Sequence, residues 1–235
     1  MNTNRQKTAL ITGASRGLGL ALARALALNS WQLIIDARGS EALQNARYDL
    51  EKKTRVWAIR GDISDPAHRQ QLAKAAAEAG GLELIVNNAS ILGPSPQPAL
   101  LAYPLDTLTD VYRINAIAPL GLLQAVQSHL KPGARIINIT SDAGLEAYEG
   151  WGGYGSSKAA LEHWSAILAE ERPDWKIYWV DPGDMRTQMH QEAFPDEDIS
   201  DRLLPEESVP GLLVLAEGDM PSGRYQARDL PLQVH

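Results

Sequence analysis

The feature that most constrains this chain is an alternation in which short apolar runs recur between longer stretches of helical period. The apolar runs cover residues 7–12, 31–37, 55–60, 82–87, 134–140, 176–181 and 224–227, and the helical stretches cover 17–29, 40–52, 66–79, 104–130, 154–171 and 205–217. Strands that pair in parallel need a crossover between them, and a helix is the usual one. The pattern therefore predicts an α/β fold, a doubly wound parallel sheet of about seven strands with helices on both faces. No break in composition divides the chain, so 1–235 reads as a single domain. Only residues 185–204 lack a period, because Pro195 and the acidic Asp196, Glu197, Asp198 and Asp201 interrupt it; this segment reads as a lid or loop.

Composition narrows the function classes. With 44% hydrophobic and 22% charged residues the chain can build a sizeable core. It carries 22 Lys and Arg against 29 Asp and Glu, a net charge of −7, and has no basic stripe to track a phosphate backbone, so nucleic acid is not an expected partner. The absence of cysteine excludes disulfides, thiolate metal sites and a thiol nucleophile. The five histidines have no metal-site spacing, and no metal is expected. The polar stretch Met1 to Lys7 and the lack of a long apolar run predict no membrane association and a cytoplasmic location.

In a doubly wound sheet, ligands bind beyond the carboxyl ends of the strands. After the first strand stands Thr12-Gly13-Ala14-Ser15-Arg16-Gly17-Leu18-Gly19, a glycine-rich turn that lets a pyrophosphate approach the backbone at a helix N-terminus. Taken alone, it also fits an ordinary tight connection. Tyr154-Gly155-Ser156-Ser157-Lys158 puts a phenol and an ammonium on one helix face, where the cation would favour the phenolate and bring it toward acid–base work. A bare pair of this kind is more often a surface coincidence, and its weight here comes from neighbouring motifs. Ser141 ends the fifth strand, where its hydroxyl can hold a carbonyl oxygen. Asn115, polar within an apolar helix, would by itself read as a satisfied amide.

Together these residues resemble the classical short-chain dehydrogenase/reductases over nearly the whole chain. Thr12 to Gly19 match the family's glycine motif. Asn87-Asn88-Ala89-Ser90 matches Asn-Asn-Ala-Gly with serine in place of the last glycine, and Asn115, Ser141, Tyr154 and Lys158 match the catalytic tetrad in order. The resemblance implies a Rossmann-type fold and a single dinucleotide-binding catalytic domain. Tyr154 would be the general acid/base, Ser141 would polarise the carbonyl, Lys158 would hold the ribose, and Asn115 would anchor a relay water. It also implies cofactor contacts from Gly13, Ser15, Arg16, Gly17, Leu18, Gly19, Arg38, Asp62, Ile63, Asn88, Ala89, Tyr154, Lys158, Pro182, Gly183 and Thr187.

The reaction so implied is hydride transfer between a nicotinamide and a small aldehyde, ketone or matching alcohol. A dinucleotide sensor without turnover, and an epimerase or dehydratase on the same fold, are the alternatives. In this family the acid that selects NAD(H) ends the second strand, where this chain has Ala37; Asp36 is expected to face the other way, and Arg38 with Arg16 suits a 2′-phosphate. NADP(H) is therefore the expected cofactor, with NAD(H) possible. Ser90, Leu92, Leu145, Trp151, Met185 and Met189 are expected to form an uncharged substrate wall. The helices at 104–130 and 154–171 carry surplus apolar residues, with Leu122, Leu123 and Trp164 as candidates for a homodimer or homotetramer contact.

Overall fold

The structure is a computed structural model that describes residues 6–231; residues 1–5, most of the polar N-terminal stretch, lie outside it. Seven strands, β1 (Thr8–Ile11), β2 (Gln32–Ala37), β3 (Val56–Arg60), β4 (Leu82–Asn87), β5 (Leu130–Ile139), β6 (Lys176–Asp181) and β7 (Gly223–Gln226), form one sheet. Its order is β3-β2-β1-β4-β5-β6-β7, and every neighbouring pair runs parallel. The helices are α1 (Gly17–Leu28), α2 (Ser40–Glu51), α3 (Pro66–Glu78), α4 (Leu105–Tyr112), α5 (Ala118–Val126), α6 (Gly152–Glu171), α7 (Gln188–Ala193) and α8 (Val209–Glu217). The chain winds outward from β1 to β3 and then returns to the other side of β1 as β4, so the crevice between the ends of β1 and β4 is the switch point.

Strand alternation divides the core in two. Ala9 and Ile11 of β1, with Leu33 and Ile35 of β2, pack under α1, α2 and α8. Leu10 and Ile34, one residue out of phase, pack with Leu72 of α3 and Leu122 of α5. Local signals set the helix starts: Pro66 opens α3, and Asp65 caps it by accepting from the Ala67 N–H at 2.9 Å.

The structure corrects three expectations. The helix expected over 104–130 is interrupted by a π turn at Arg113–Ile117, which separates α4 from α5 and carries Asn115. Apolar spacing cannot distinguish a single widened turn from regular helix. Leu122 and Leu123 are buried within the chain, so neither is free for a subunit contact, and Trp164 is half-buried; Leu105 (74% exposed) of α4, Ile117 (60%) of the π turn and Ile167 (46%) of α6 are the exposed large apolar residues of these elements. The segment 185–204 is not wholly irregular, because Thr187 caps the short helix α7 by accepting from the His190 N–H at 3.2 Å.

Helix α8 lies so close to the chain after β7 that a Cβ on Gly211 would collide with the Ala227 carbonyl oxygen. Gly211→Ala is expected to cost about 3 kcal/mol by overpacking, lowering Tm by roughly 6–12 °C. Calorimetry checks this, and an unchanged Tm would place α8 farther from β7.

Candidate active site

The carboxyl ends of β1, β2, β4, β5 and β6 border a cleft of about 1520 Å³. At one end lies the glycine turn. Gly13 and Gly17 have φ of +66° and +54°, a conformation glycine adopts without strain. Thr12 Oγ1 accepts from the N–H groups of Asn88 and Ala89, both at 3.0 Å, while Asn88 Nδ2 donates to the carbonyls of Thr12 (2.9 Å) and Gly13 (3.2 Å). The turn is thus pinned to the end of β4. Helix α1 begins here with no side-chain cap and no acidic residue in its first turn, so its N-terminal field faces the cleft uncompensated.

Asp36 does not simply face away from the glycine turn. Its Oδ1 accepts from the Gly13 N–H at 2.8 Å, and its Oδ2 meets His68 Nε2 at 2.9 Å, both side chains being buried. Asp36 is therefore spent on supporting the turn, while Arg38 is exposed beside it. Arg16, also exposed, bonds Gln188 Oε1 of α7. Asp62 Oδ1 accepts from the Ser64 N–H at 2.8 Å.

At the other end stands the proposed tetrad. Tyr154 is buried on the first turns of α6, and the Lys158 ammonium lies 5.4 Å from its ring centroid, donating at 2.8 Å to the Ile139 carbonyl. Burial, helped by the carboxylates of Asp181 and Asp142, pushes the Tyr154 phenol well above its ordinary value, while the Ser90 hydroxyl acts the other way. Burial also lowers the Lys158 ammonium to about 8, opposed by Glu162. The phenol is thus protonated at neutral pH, the form that can give a proton to a carbonyl oxygen. Where the Tyr154–Lys158 spacing predicts a phenol drawn down toward ionisation near neutral pH, burial in the folded chain raises it instead.

Ser141 opens a short turn after β5. Its hydroxyl donates to Asp142 Oδ1 at 2.8 Å and accepts from the Ala143 N–H at 3.2 Å. Asn115 does not reach the cleft wall. Its Oδ1 accepts from the Ile91 N–H (2.9 Å) and Ser90 Oγ (3.0 Å), and its Nδ2 donates to the Ile91 carbonyl (2.9 Å) and Ser157 Oγ (3.0 Å). All four of its hydrogen-bonding positions are filled, so any water it anchors must bind its main chain.

The cleft walls include Gly13, Ser15, Arg16, Gly17, Leu18, Arg38, Asp62, Ile63, Asn88, Ala89, Pro182, Gly183 and Thr187, and also Ser90, Leu92, Trp151, Met185 and Met189. Gly19 is set back behind the turn, where a Cβ would come within 2.6 Å of both Asn88 Nδ2 and the Gly13 oxygen. Leu145 is 62% exposed and lies off the cleft wall, because its turn faces solvent.

The sequence marks Trp151 but neither Phe194 nor Arg224, and it does not show what Trp151 packs against. Trp151 is an edge-on neighbour of Tyr154 (5.8 Å between centroids) and Tyr148 (6.5 Å), and Phe194, the chain's single phenylalanine, lies 5.8 Å from Trp151. Tyr148 Oη donates to Asp142 Oδ2 at 3.0 Å. Arg224 of β7 contacts both carboxylate oxygens of the buried Glu162 at 3.2 Å and donates to the Ser141 carbonyl at 3.3 Å. The signal for Arg224 was a lone cation in the last strand.

Comparison with known proteins agrees with this arrangement. Residues 7–198 match the family described as short chain dehydrogenase. The chain is 35% identical over 175 residues to the short chain dehydrogenase asqE of Emericella nidulans, an alignment that takes in 71% of this chain and 65% of that protein, less than two thirds of its length. It is 30% identical to a benzil reductase ((S)-benzoin forming) of Saccharomyces cerevisiae, across 88% of this chain and 80% of the relative. A short chain dehydrogenase of Shigella flexneri, solved in complex with NADP, superposes with a TM-score of 0.88 at 27% identity, covering 94% of this chain and 97% of that one. The chain belongs to the short-chain dehydrogenase family. Its cleft fits the nicotinamide dinucleotide that the family binds, since the N-terminus of α1 faces it with no acidic residue in its first turn and Ser15, Arg16 and Arg38 stand on its wall.

A buried ammonium lowered to about 8 from 10.5 is a stability cost. The charged form is disfavoured by folding, so the cost is full below the folded value and fades as pH rises from about 8 to 10.5. Lys158→Met is expected to raise Tm by on the order of 3 °C at pH 7 while removing function, and the gain should shrink by pH 10. Thermal unfolding at both pH values measures it; a fall in Tm at pH 7 would show that the bond to Ile139 outweighs the desolvation.

Proposed function

We propose that the protein is an NADP(H)-preferring oxidoreductase that reduces a small uncharged aldehyde or ketone, or oxidises the matching alcohol. The observation that carries this reading is a protonated, buried Tyr154 in the same cleft as Ser141, Lys158 and the glycine turn. The nicotinamide supplies the hydride when bound. Ser141 releases its hydroxyl from Asp142 to hold the substrate oxygen, Tyr154 gives that oxygen a proton, and Lys158 lies within reach of the ribose hydroxyls. Gly13, Ser15, Gly17, Leu18 and the N-terminus of α1 receive the pyrophosphate, while Asp62, Ile63, Asn88 and Ala89 border the adenosine and ribose. Pro182, Gly183 and Thr187 border the nicotinamide.

Exposed Arg38 and Arg16, with Ala37 in place of an acid, support a 2′-phosphate, and the NADP complex of the Shigella flexneri relative is consistent with it. The substrate wall supports an uncharged, ring-bearing carbonyl compound. Trp151, Phe194 and Tyr148 present aromatic faces near Tyr154, with Leu92 and Met189 beside them, whereas a buried anion would meet Asp142 and Asp181. The benzil reductase among the relatives acts on a compound of that kind by its name. Met185, α7 and the rest of 185–204 act as a lid over this wall, and the exposed Ile117 and Ile167 are candidates for a homodimer or homotetramer contact.

Absorbance at 340 nm with a panel of carbonyl compounds tests the reading. Tyr154→Phe is expected to retain cofactor binding and lose on the order of a hundredfold in turnover; near-normal turnover would remove Tyr154 from the chemistry. Arg38→Ala is expected to weaken NADPH by roughly tenfold more than NADH, and equal effects on both would refute the phosphate assignment.

A further inference from the structure

Asp36 borders the cleft beside Ala37 and Arg38, at the end that would receive the 2′-phosphate, yet both of its oxygens are engaged from behind. Oδ1 accepts from the Gly13 N–H at 2.8 Å, and Oδ2 meets Nε2 of His68, on the first turn of α3, at 2.9 Å. Both side chains are 3% exposed. Among the described residues, His68 Nδ1 meets no hydrogen-bond partner. A proton there would be stranded, so the proton of the ring belongs on Nε2 and is donated to Asp36. Gly61, directly after β3, makes room for the ring, since a Cβ on it would collide with His68 Nδ1.

Resting on the reading of the cofactor as NADP(H), we propose that His68 is a positioning residue for cofactor selection, holding the Asp36 carboxylate to α3 and away from the ribose end of the cleft. A carboxylate accepts hydrogen bonds and donates none. With Oδ2 free, it would take a ribose 2′-hydroxyl, the group NAD(H) carries there, and it would repel the 2′-phosphate of NADP(H). Tied to His68, the same carboxylate does neither. The Gly13 N–H alone would not restrain it in this way, because that donor occupies Oδ1 only. Arg38, two positions on and exposed, then meets the phosphate without a competing anion on its own strand, and Ala37 between them adds no charge. Arg60 of β3 steadies this end by donating through Nε to the Arg38 carbonyl at 3.1 Å. Asp62, the other acid at this end, accepts from the Ser64 N–H at 2.8 Å. Selection between the two cofactors is thus set partly by a histidine that lies behind the cleft and touches neither.

Calorimetric titration of the full chain with NADPH and with NADH reads the ratio of the two affinities, which a general loosening of the glycine turn would leave unchanged. His68→Met, a flexible apolar replacement, is expected to move that ratio toward NADH by roughly tenfold, the scale of one poorly screened charge near a phosphate. His68→Gln, whose amide nitrogen can still donate to Asp36, is expected to keep the ratio of the unsubstituted protein. Combining His68→Met with Asp36→Asn, which leaves no charge to release, should restore it. Gly61→Ala, whose Cβ displaces the ring, is a second route to the same shift and keeps the proposal falsifiable if His68→Met does not fold. An unchanged ratio in His68→Met and Gly61→Ala, including equal weakening of both cofactors, would overturn the proposal and leave His68 as a support of the turn. If the unsubstituted protein favours NADH while His68→Met still moves the ratio, the NADP(H) reading falls and the part played by His68 stands.

Discussion

The hydrogen bonds between Thr12 and Asn88 hold the end of β1 to the end of β4, and the rest of the site depends on that seam. Four side-chain to main-chain bonds of 2.9–3.2 Å made by Thr12 and Asn88 cross it, beside the main-chain bond from the Thr12 N–H to the Val86 carbonyl at 3.0 Å. At the mouth of a buried sheet such bonds are strong, and the loss of one partner strands the others. The seam does more than fix a turn. The residues that follow Asn88 run directly into Ser90 and Ile91, which grip Asn115 in its π turn, and Asn115 grips Ser157 of α6. A single loop therefore sets the glycine turn, the kinked helix and the helix that carries Tyr154 in one frame.

Electrostatically the site is poised against its own stability. A lysine, a glutamate and two aspartates share the region beneath and beside Tyr154, and several of them are buried. Arg224 partly compensates Glu162 and comes within 3.8 Å of Asp181, whose carboxyl is nonetheless raised by burial. Clusters of this sort persist because the surrounding sheet and helices over-determine them, and they are where perturbed acids and bases are found.

How much was legible follows from which physics each feature obeys. The sheet, its crossovers and the positions of the glycine turn, Ser141, Tyr154 and Lys158 could be read because they rest on periodicity and on fixed spacing along one element. Alternation correctly turned Asp36 to the α3 face, where its carboxylate meets His68, but a strand period does not show that the same carboxylate also accepts from the Gly13 N–H of the neighbouring strand's turn. Leu122 and Leu123 looked like surplus apolar surface because their cover comes from α3 and the sheet, far away in sequence. The aromatic wall was only partly visible for the same reason: Trp151 and Phe194 meet through the return of the chain after β6, a pairing that no local pattern encodes. Leu145 failed for the opposite reason, since proximity in sequence to Ser141 did not bring it to the cleft.

Arg224 places the final touch to the site on the outermost strand. Of the seven strands, β7 is the last to be made, and it pairs only with β6. Until it docks, Glu162 lacks its cation and the main chain at Ser141 lacks the guanidinium that steadies it. The reacting end of the cleft is thereby fastened to the rim of the sheet, whereas the glycine turn is fastened to its centre, between β1 and β4. A disturbance at the edge strand reaches Ser141 through one guanidinium, and the cradle at the centre has no such tether to the rim.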